Sequence, residues 1–236
     1  QGHLLGGKVR YAQPRHGFRS GIEPVLLAAS VPAQPGEQVL EGGSGAGAAL
    51  LCLAARVPRL SGLGIDRDPE LVELAQNNAA ANGWPGLRYL AADLTTASVS
   101  GAFDHACANP PYHDEAGTAS PDPSRRTAKQ GNAGMLAAWA SALGRPLRPR
   151  GTLTFVIPAA LLPEAIAAFG AAGCVASALL PLWPKPNSQA KLVLLQGTKD
   201  RRKPFRVLPG LVLHEPSGGF TAEAEAVLRG GNTIAF

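Results

Sequence analysis

The sequence predicts an α/β fold built on a mostly parallel, seven-stranded sheet with helices on both faces and a C-terminal antiparallel hairpin. From residue 37 onward, short apolar runs that suit buried strands alternate with Ala- and Leu-rich segments that suit helices. Such alternation is typical of parallel strands joined by crossover helices. The last two apolar runs flank the Pro-containing turn 183–187, which indicates the closing hairpin.

The elements follow one another in a regular order along the chain. Residues 1–20 are polar, basic and Gly-rich, which indicates an arm or a short hairpin. Pro69 behind Asp68 marks a helix start, because aspartate caps a helix and proline suits its first position. The predicted strands are 38–41, 62–66, 87–91, 103–108, 151–157, 175–182 and 191–196, with a short one at 211–214, and the predicted helices are 22–30, 46–56, 69–82, 131–147, 159–172 and 222–228.

A chain of 236 residues suits one domain of this class. We divide it into an arm and short helix (1–36), a core (37–197) and a basic C-terminal extension (198–236). A long polar loop is predicted from Tyr112 to about Lys129, and loops of this length in compact domains are often functional. Ligands of such sheets bind at the carboxyl ends of the strands near the switch point, so the chemistry is expected there.

The composition indicates a globular protein with an anionic partner. The chain is 45% hydrophobic and carries a net charge of +5, and lysines and arginines in excess favour phosphate-bearing partners. Cys52, Cys107 and Cys174 form no CxxC pair and lie in apolar runs, so we expect buried thiols, and the histidines show no metal-ligand spacing. No metal site, membrane span or signal peptide is predicted, and we expect a cytoplasmic protein.

The first strand leads into the glycine-rich segment Glu41-Gly42-Gly43-Ser44-Gly45-Ala46-Gly47. Glycines allow a tight turn and close approach to a ligand, and the following helix N-terminus favours an electron-rich group. A P-loop is excluded because no Gly-Lys-Ser/Thr follows. The segment alone is ambiguous, since Gly43, Gly45 and Ala48 also fit the dinucleotide fingerprint of NAD enzymes.

Three carboxylates at successive strand ends favour S-adenosylmethionine over NAD. Glu41 can hold a cationic amino group, directly or through water, but would repel a pyrophosphate. Asp66 ends the second strand, where it can accept both ribose hydroxyls, and Asp93 follows the third, where an adenine amino group could be read. The candidate cofactor-binding residues are Ser20, Glu41, Gly43, Ser44, Gly45, Gly47, Asp66, Arg67, Asp93, Leu94 and Asn109.

The tetrapeptide Asn109-Pro110-Pro111-Tyr112 directly follows the fourth strand and contains the candidate catalytic residues. The prolines fix φ and remove two backbone donors, so the loop presents acceptors, namely the Asn109 side-chain oxygen and the Pro110 carbonyl. A conjugated amine is a poor nucleophile, and two acceptors on its hydrogens would favour pyramidal geometry and stabilise the developing positive charge. Tyr112 can stack on a base.

Together, these motifs resemble class I methyltransferases, which have a Rossmann-like fold. The segment 41–47 matches their acid-x-G-x-G-x-G motif, Asp66 the ribose-binding acid and Asp93 the adenine-side acid. The tetrapeptide resembles the N-P-P-Y motif of amino-methyltransferases, which act on adenine N6, guanine N2 in rRNA or glutamine N5 in release factors. The motif does not separate these acceptors, because adenine amines and glutamine amides need the same grip.

The two ends of the chain resemble the bacterial valine-tRNA (adenine37-N6)-methyltransferases. The similar segments are 18–27, 180–184, 190–194 and 211–215. Glu23 stands where such enzymes often have Asp, and Glu41 where many class I methyltransferases have Asp. Glutamine enzymes usually carry an additional N-terminal helical domain, whereas only some 36 residues precede the first strand here. Many DNA adenine enzymes carry a separate target-recognition domain, for which we expect no room in this chain. The resemblance implies an enzyme that methylates adenine N6 in RNA, with tRNA as the RNA class and an anticodon loop as the target.

Three basic clusters fit an RNA partner as a rim around the catalytic mouth that binds phosphates. An anticodon loop is already single-stranded, so the free energy of base flipping is partly avoided. We expect a monomer or weak homodimer, and a non-catalytic RNA-binding or cofactor-sensing module is the alternative from another class. The candidate RNA-binding residues are Arg10, Arg15 and Arg19, then Arg125, Arg126 and Lys129, and finally Arg201, Arg202 and Lys203.

Overall fold

The computed structural model describes residues 2–14, 21–112, 124–201 and 203–236, with only the backbone for 124–130. Most of the chain folds around one nine-stranded sheet, and a separate two-stranded hairpin lies near the N-terminus. The strands are β1 Gly2–Leu4, β2 Val9–Tyr11, β3 Gln38–Gly42, β4 Ser61–Asp66, β5 Leu87–Ala91, β6 Phe103–Ala108, β7 Leu147–Pro158, β8 Cys174–Trp183, β9 Leu192–Lys199, β10 Arg206–Val207 and β11 Leu211–Val212. The α-helices are α1 Glu23–Ser30, α2 Ala48–Arg56, α3 Pro69–Ala81, α4 Ser124–Gly144, α5 Leu162–Ala171 and α6 Ala222–Leu228.

The strand order of the main sheet is β10-β8-β9-β7-β6-β3-β4-β5, with β11 also paired to β8. All pairs are parallel except β7 with β9 and β8 with β9, so β9 forms the predicted antiparallel hairpin with β8. From β3 the chain continues outward through β4 and β5, and β6 then returns to the other side of β3. The loops after β3 and β6 therefore diverge, which opens a crevice at the carboxyl edge.

Helices cover both faces of the sheet, as predicted. One apolar cluster joins α1, α2 and α3 to the face that carries Val39 and Cys107, and α6 and the N-terminal hairpin extend it. The other joins α4 and α5 to the face that carries Leu40 and Phe155. Val39 and Leu40 are neighbours that point to opposite faces, as the two-residue period of a strand requires.

The structure corrects the predicted strand count and the start of α4. β10 and β11 add two short strands at the free edge of β8, so the sheet has nine strands instead of seven. α4 already begins at Ser124, so part of the predicted loop 112–129 is helical, and its remainder, 113–123, lies outside the described residues. Helix-favouring Arg, Ala, Lys and Gln dominate 124–130 despite the lack of an apolar period.

β7 also begins earlier than predicted, at Leu147 rather than residue 151. The pairing with β6 is irregular between Phe103 and His105, and Arg150 has a positive φ of 70°. A bulge inserts an unpaired residue into a strand and interrupts its alternation. The segment 148–150 therefore shows no strand alternation, and the sequence pattern predicts only the part of β7 from residue 151 onward. Within the described ranges, no helix is both long and apolar enough to cross a membrane.

Candidate cofactor and catalytic site

The glycine-rich loop, residues 43–47, lies between β3 and α2 and is fixed to the end of β4. The Gly43 and Ser44 amides donate to the Ile65 carbonyl at 2.8 and 3.1 Å. The Gly45 amide donates to Asp66 Oδ2 at 2.8 Å. These bonds set the loop conformation before any ligand arrives, which is the preorganisation that tight ligand binding requires.

Two loop glycines differ in what surrounds them. Gly43 has a φ of 65°, and a Cβ there would lie 2.7 Å from the Trp139 ring of α4, so this side of the loop is closed by protein. Gly45 has a φ of 52°, and a Cβ there would meet no atom of the described residues within 4 Å. The open side of the loop at Gly45 therefore provides the space into which a ligand could fit.

Two of the predicted carboxylates lie at this open edge. Asp66 is half-buried and also accepts from the Asp68 amide, at 3.0 Å through Oδ1. Asp93 is exposed and accepts from the Thr95 hydroxyl at 2.6 Å and the Thr95 amide at 2.8 Å. These bonds, together with the nearby positive charge of Arg67, lower the pKa of Asp93 below its ordinary value. Both groups can accept hydrogen bonds from ribose hydroxyls or an adenine amine.

The third predicted carboxylate is held differently. Glu41 is buried, and its Oε2 accepts from the Leu50 amide in α2 at 3.3 Å. Burial raises its pKa from 4.5 to about 8, with a smaller contribution from the charge of Asp66. Glu41 therefore lies beneath the loop rather than on its open side, and its contact with a cofactor amino group stays a prediction.

The remaining candidate cofactor residues have contrasting surroundings. Arg67 is exposed, whereas Leu94 is buried, with its Cδ2 2.6 Å from where a Gly42 Cβ would lie. Ser44 Oγ is buried and has no hydrogen-bond partner among the described residues. Ser20 lies outside the described residues.

The loop that contains Asn109 begins beside the glycine-rich loop. Ala108 of β6 pairs with Gly42 of β3, so Asn109 and Gly43 leave adjacent strands, about 5 Å apart, at the same edge. Asn109 and Tyr112 are half-buried, Pro110 is buried and Pro111 exposed. Among the described residues, the Asn109 side chain has no hydrogen-bond partner.

The structure does not bring the described tail residues of the predicted basic rim to the carboxyl edge of β6. Arg201 and Lys203 are exposed, but they precede β10, four strands or about 19 Å from β6, on the side towards the amino ends of the strands. Arg10 is exposed on β2. The structure describes only the backbone of Arg125, Arg126 and Lys129, in the first turns of α4, and Arg15, Arg19 and Arg202 lie outside the described residues.

Two lysines at the carboxyl edge of the sheet were not predicted from the sequence. Lys191 is exposed directly before β9, and its carbonyl accepts from the Ala159 amide at the end of β7, two strands from β6. Lys185 is exposed in the turn after β8. Only the strand order could have indicated them. β9 runs antiparallel to β7 and β8 and therefore starts at the edge where those two strands end. An isolated lysine in a turn forms no recognisable motif.

The cysteines are buried, as predicted. Burial raises the pKa of Cys52 to about 12 and that of Cys107 well above its ordinary value, which argues against nucleophilic thiolates. Among the described residues, no group of three or more His, Cys, Asp and Glu side chains could hold a metal ion.

Comparison with known proteins identifies related sequences and folds. The sequence model of the methyltransferase small domain family matches residues 23–161. A release factor glutamine methyltransferase of Rhodospirillum rubrum is 40% identical over 88 residues, which cover 37% of this chain and 27% of that enzyme. A tRNA1(Val) (adenine(37)-N6)-methyltransferase of Actinobacillus succinogenes is 27% identical over 217 residues, which cover 89% of this chain and 88% of that enzyme.

The fold has solved counterparts. The structure of a predicted O-methyltransferase of Agrobacterium tumefaciens superimposes with a TM-score of 0.74, at 22% identity, over 91% of this chain and 99% of that one. At this identity the likeness concerns the fold. The class I methyltransferase fold predicted from the sequence is thereby confirmed.

Proposed function

This chain belongs to the methyltransferase small domain family, and we propose that it transfers a methyl group from S-adenosylmethionine to the N6 amino group of adenine in RNA, with tRNA as the RNA class. The observation that carries this proposal is the position of Asn109-Pro110-Pro111-Tyr112 directly after β6, the strand that pairs with β3 beside the glycine-rich loop. An amine held by Asn109 would be next to the cofactor that the loop holds.

The loop residues fit S-adenosylmethionine, the cofactor of this family and fold. The open space before Gly45 admits a ligand, and the Asp66 and Asp93 carboxylates at its border are acceptors for a nucleoside. When bound, this cofactor supplies an electrophilic methyl group on a positively charged sulfur. The carboxylates at this edge also make a cation more favourable here than a pyrophosphate.

The protein's own residues orient the acceptor. The Asn109 side-chain oxygen and the Pro110 carbonyl accept the two hydrogens of the target amine and favour the pyramidal nitrogen that attack requires. The same two acceptors stabilise the positive charge that develops on this nitrogen. Tyr112, half-buried at the end of the loop, provides a ring on which the base can stack. No strong base is needed, because the methylated nitrogen carries a positive charge, is strongly acidic and loses its extra proton to solvent water.

The extent of the similarities favours adenine in RNA over glutamine. The glutamine methyltransferase matches over 88 residues and the chain spans about a quarter of its length. The match to the adenine-N6 enzyme covers 89% of this chain and 88% of that enzyme. The exposed Lys185 and Lys191 at the catalytic edge add a phosphate-binding surface close to β6.

The test is the product of the reaction. Incubation with labelled S-adenosylmethionine and unmodified tRNA, followed by mass spectrometry of the nucleosides, should give N6-methyladenosine. Asn109→Ala should retain cofactor binding in calorimetry and lose about 10²–10³-fold in turnover, as when one charge-stabilising hydrogen bond is removed. Methylguanosine in place of methyladenosine would contradict the adenine assignment, and wild-type turnover without Asn109 would contradict the proposed mechanism.

The 40% identity to a glutamine methyltransferase favours one second candidate, methylation of a protein glutamine at N5. A release factor with its glutamine loop intact is the substrate to test in the same assay. Label in that protein and none in RNA would replace the leading proposal. Cofactor binding without turnover on either substrate would favour a cofactor-sensing module instead.

A further inference from the structure

Asn78 in α3 and Asn82 at its C-cap hold the N-terminal arm, residues 2–14. The Arg10 amide donates to Asn82 Oδ1 at 2.9 Å, and Asn82 Nδ2 donates to the Arg10 carbonyl at 2.7 Å. One helical turn earlier, the Ala12 amide donates to Asn78 Oδ1 and Asn78 Nδ2 donates to the Ala12 carbonyl, both at 2.9 Å. Each side-chain amide therefore binds the arm main chain as a neighbouring strand would.

The two asparagines differ in the partner of their third hydrogen bond. Asn82 Nδ2 donates back to the Asn78 carbonyl at 2.8 Å, whereas Asn78 Nδ2 donates to the carbonyl of Ala46, in the glycine-rich loop, at 3.0 Å. Asn78 is only 3% exposed, so loss of its side chain would leave buried main-chain groups without their protein partner. A single buried amide thus satisfies three main-chain groups, two in the arm and one in the loop.

The hydrogen bond from Asn78 to the Ala46 carbonyl fixes the loop from the side of α3, which the sheet does not reach. Asp66 holds the Gly45 amide from β4, and the Gly47 amide closes the turn on the Ser44 carbonyl at 2.8 Å. Asn78 holds the intervening residue, Ala46, and is itself held by the docked arm. If the arm undocks, Asn78 loses two of its three partners and the restraint on its rotamer.

We propose that Asn78 is a positioning residue that couples docking of the arm to binding of S-adenosylmethionine by the loop at 43–47. The inference rests on the proposed function, because it takes this loop as the cofactor site. Coupling of this kind is reciprocal, so the cofactor also stabilises the docked arm. Asn82 binds the arm without touching the loop and is the matched control.

Calorimetric titration of S-adenosylmethionine into the wild type, Asn78→Ala and Asn82→Ala separates coupling from a purely structural role. Both variants should melt at a lower temperature, because both lose arm bonds. Asn78→Ala should bind the cofactor about tenfold more weakly, the effect of one or two lost hydrogen bonds, whereas Asn82→Ala should bind within about twofold of the wild type. Equal cofactor affinities in the two variants would overturn the inference.

Hydrogen exchange of the wild type tests the same coupling without relying on a variant that folds poorly. Saturating S-adenosylmethionine should slow exchange of the Arg10 and Ala12 amides, which donate to the two asparagines. The slowing should persist in Asn82→Ala at Ala12 and disappear in Asn78→Ala. Unchanged exchange at Ala12 on cofactor binding would overturn the inference. A wild type that binds no cofactor would contradict the proposed function itself.

Discussion

The buried carboxyl of Glu41 predicts how stability depends on pH. Burial raises the pKa of Glu41 from 4.5 to about 8. Between these values the folded protein binds more protons at this site than the unfolded chain, so the free energy of unfolding falls as pH rises through that interval. One pKa unit corresponds to about 1.36 kcal/mol, which bounds the full loss at about 5 kcal/mol. Between pH 5.5 and 8.5 we expect about 3 kcal/mol.

Urea unfolding of the wild type and Glu41→Gln across pH 5.5 to 8.5 measures this contribution. Gln keeps the acceptor for the Leu50 amide but does not titrate, so the stability difference between the two proteins isolates Glu41. The wild type should lose stability relative to Glu41→Gln as pH rises. The matched control is Glu70→Gln, which removes an exposed carboxyl in the first turn of α3. Its stability should depend on pH as that of the wild type does. A pH-independent difference between wild type and Glu41→Gln would refute the reasoning.

Three further predictions concern the capping, core and surface residues. Asp68→Ala removes the N-cap of α3, whose carboxylate accepts from amides of the first helical turn. In urea titration it should lower the free energy of unfolding by about 1 kcal/mol. An unchanged free energy would contradict the capping role. Phe169→Ala should lower it by about 3–5 kcal/mol, because this fully buried ring packs edge-on against Phe155; a loss below that range would mean that the core refills the cavity. Lys191→Ala should weaken tRNA binding and reduce the slope of log affinity against log salt concentration by about 1. Lys203→Ala, at a site far from β6, should change the affinity and the slope less. The reverse order would place the RNA on the C-terminal tail.

Local sequence signals predicted the elements that end abruptly. The bounds of β5, β6 and α6 agree with those predicted, since Pro, Gly or polar turn residues flank each apolar run. The start of α3 agrees because Asp68 and Pro69 determine it. The start of α4 and the bulge in β7 depend on helix propensity without amphipathic pattern and on an irregular pairing with β6. Neither leaves a periodic trace in the sequence.

The same contrast between local sequence signals and non-local pairing applies to the predicted site residues. Glycines and carboxylates at strand ends could be assigned to one edge because all parallel strands of such a sheet end there. The position of the tail residues depends instead on the order of strands, and β8 pairs beyond β9 at the far edge, which carries Arg201 and Lys203 away from β6. A charge pattern along the chain contains no information on strand order. The sequence therefore predicts the chemistry at the carboxyl edge better than the path by which a large RNA reaches it. The bonds of Asn78 to the arm and to the loop join residues 66 and 32 positions apart. Like the strand order, they are non-local contacts that no local pattern predicts.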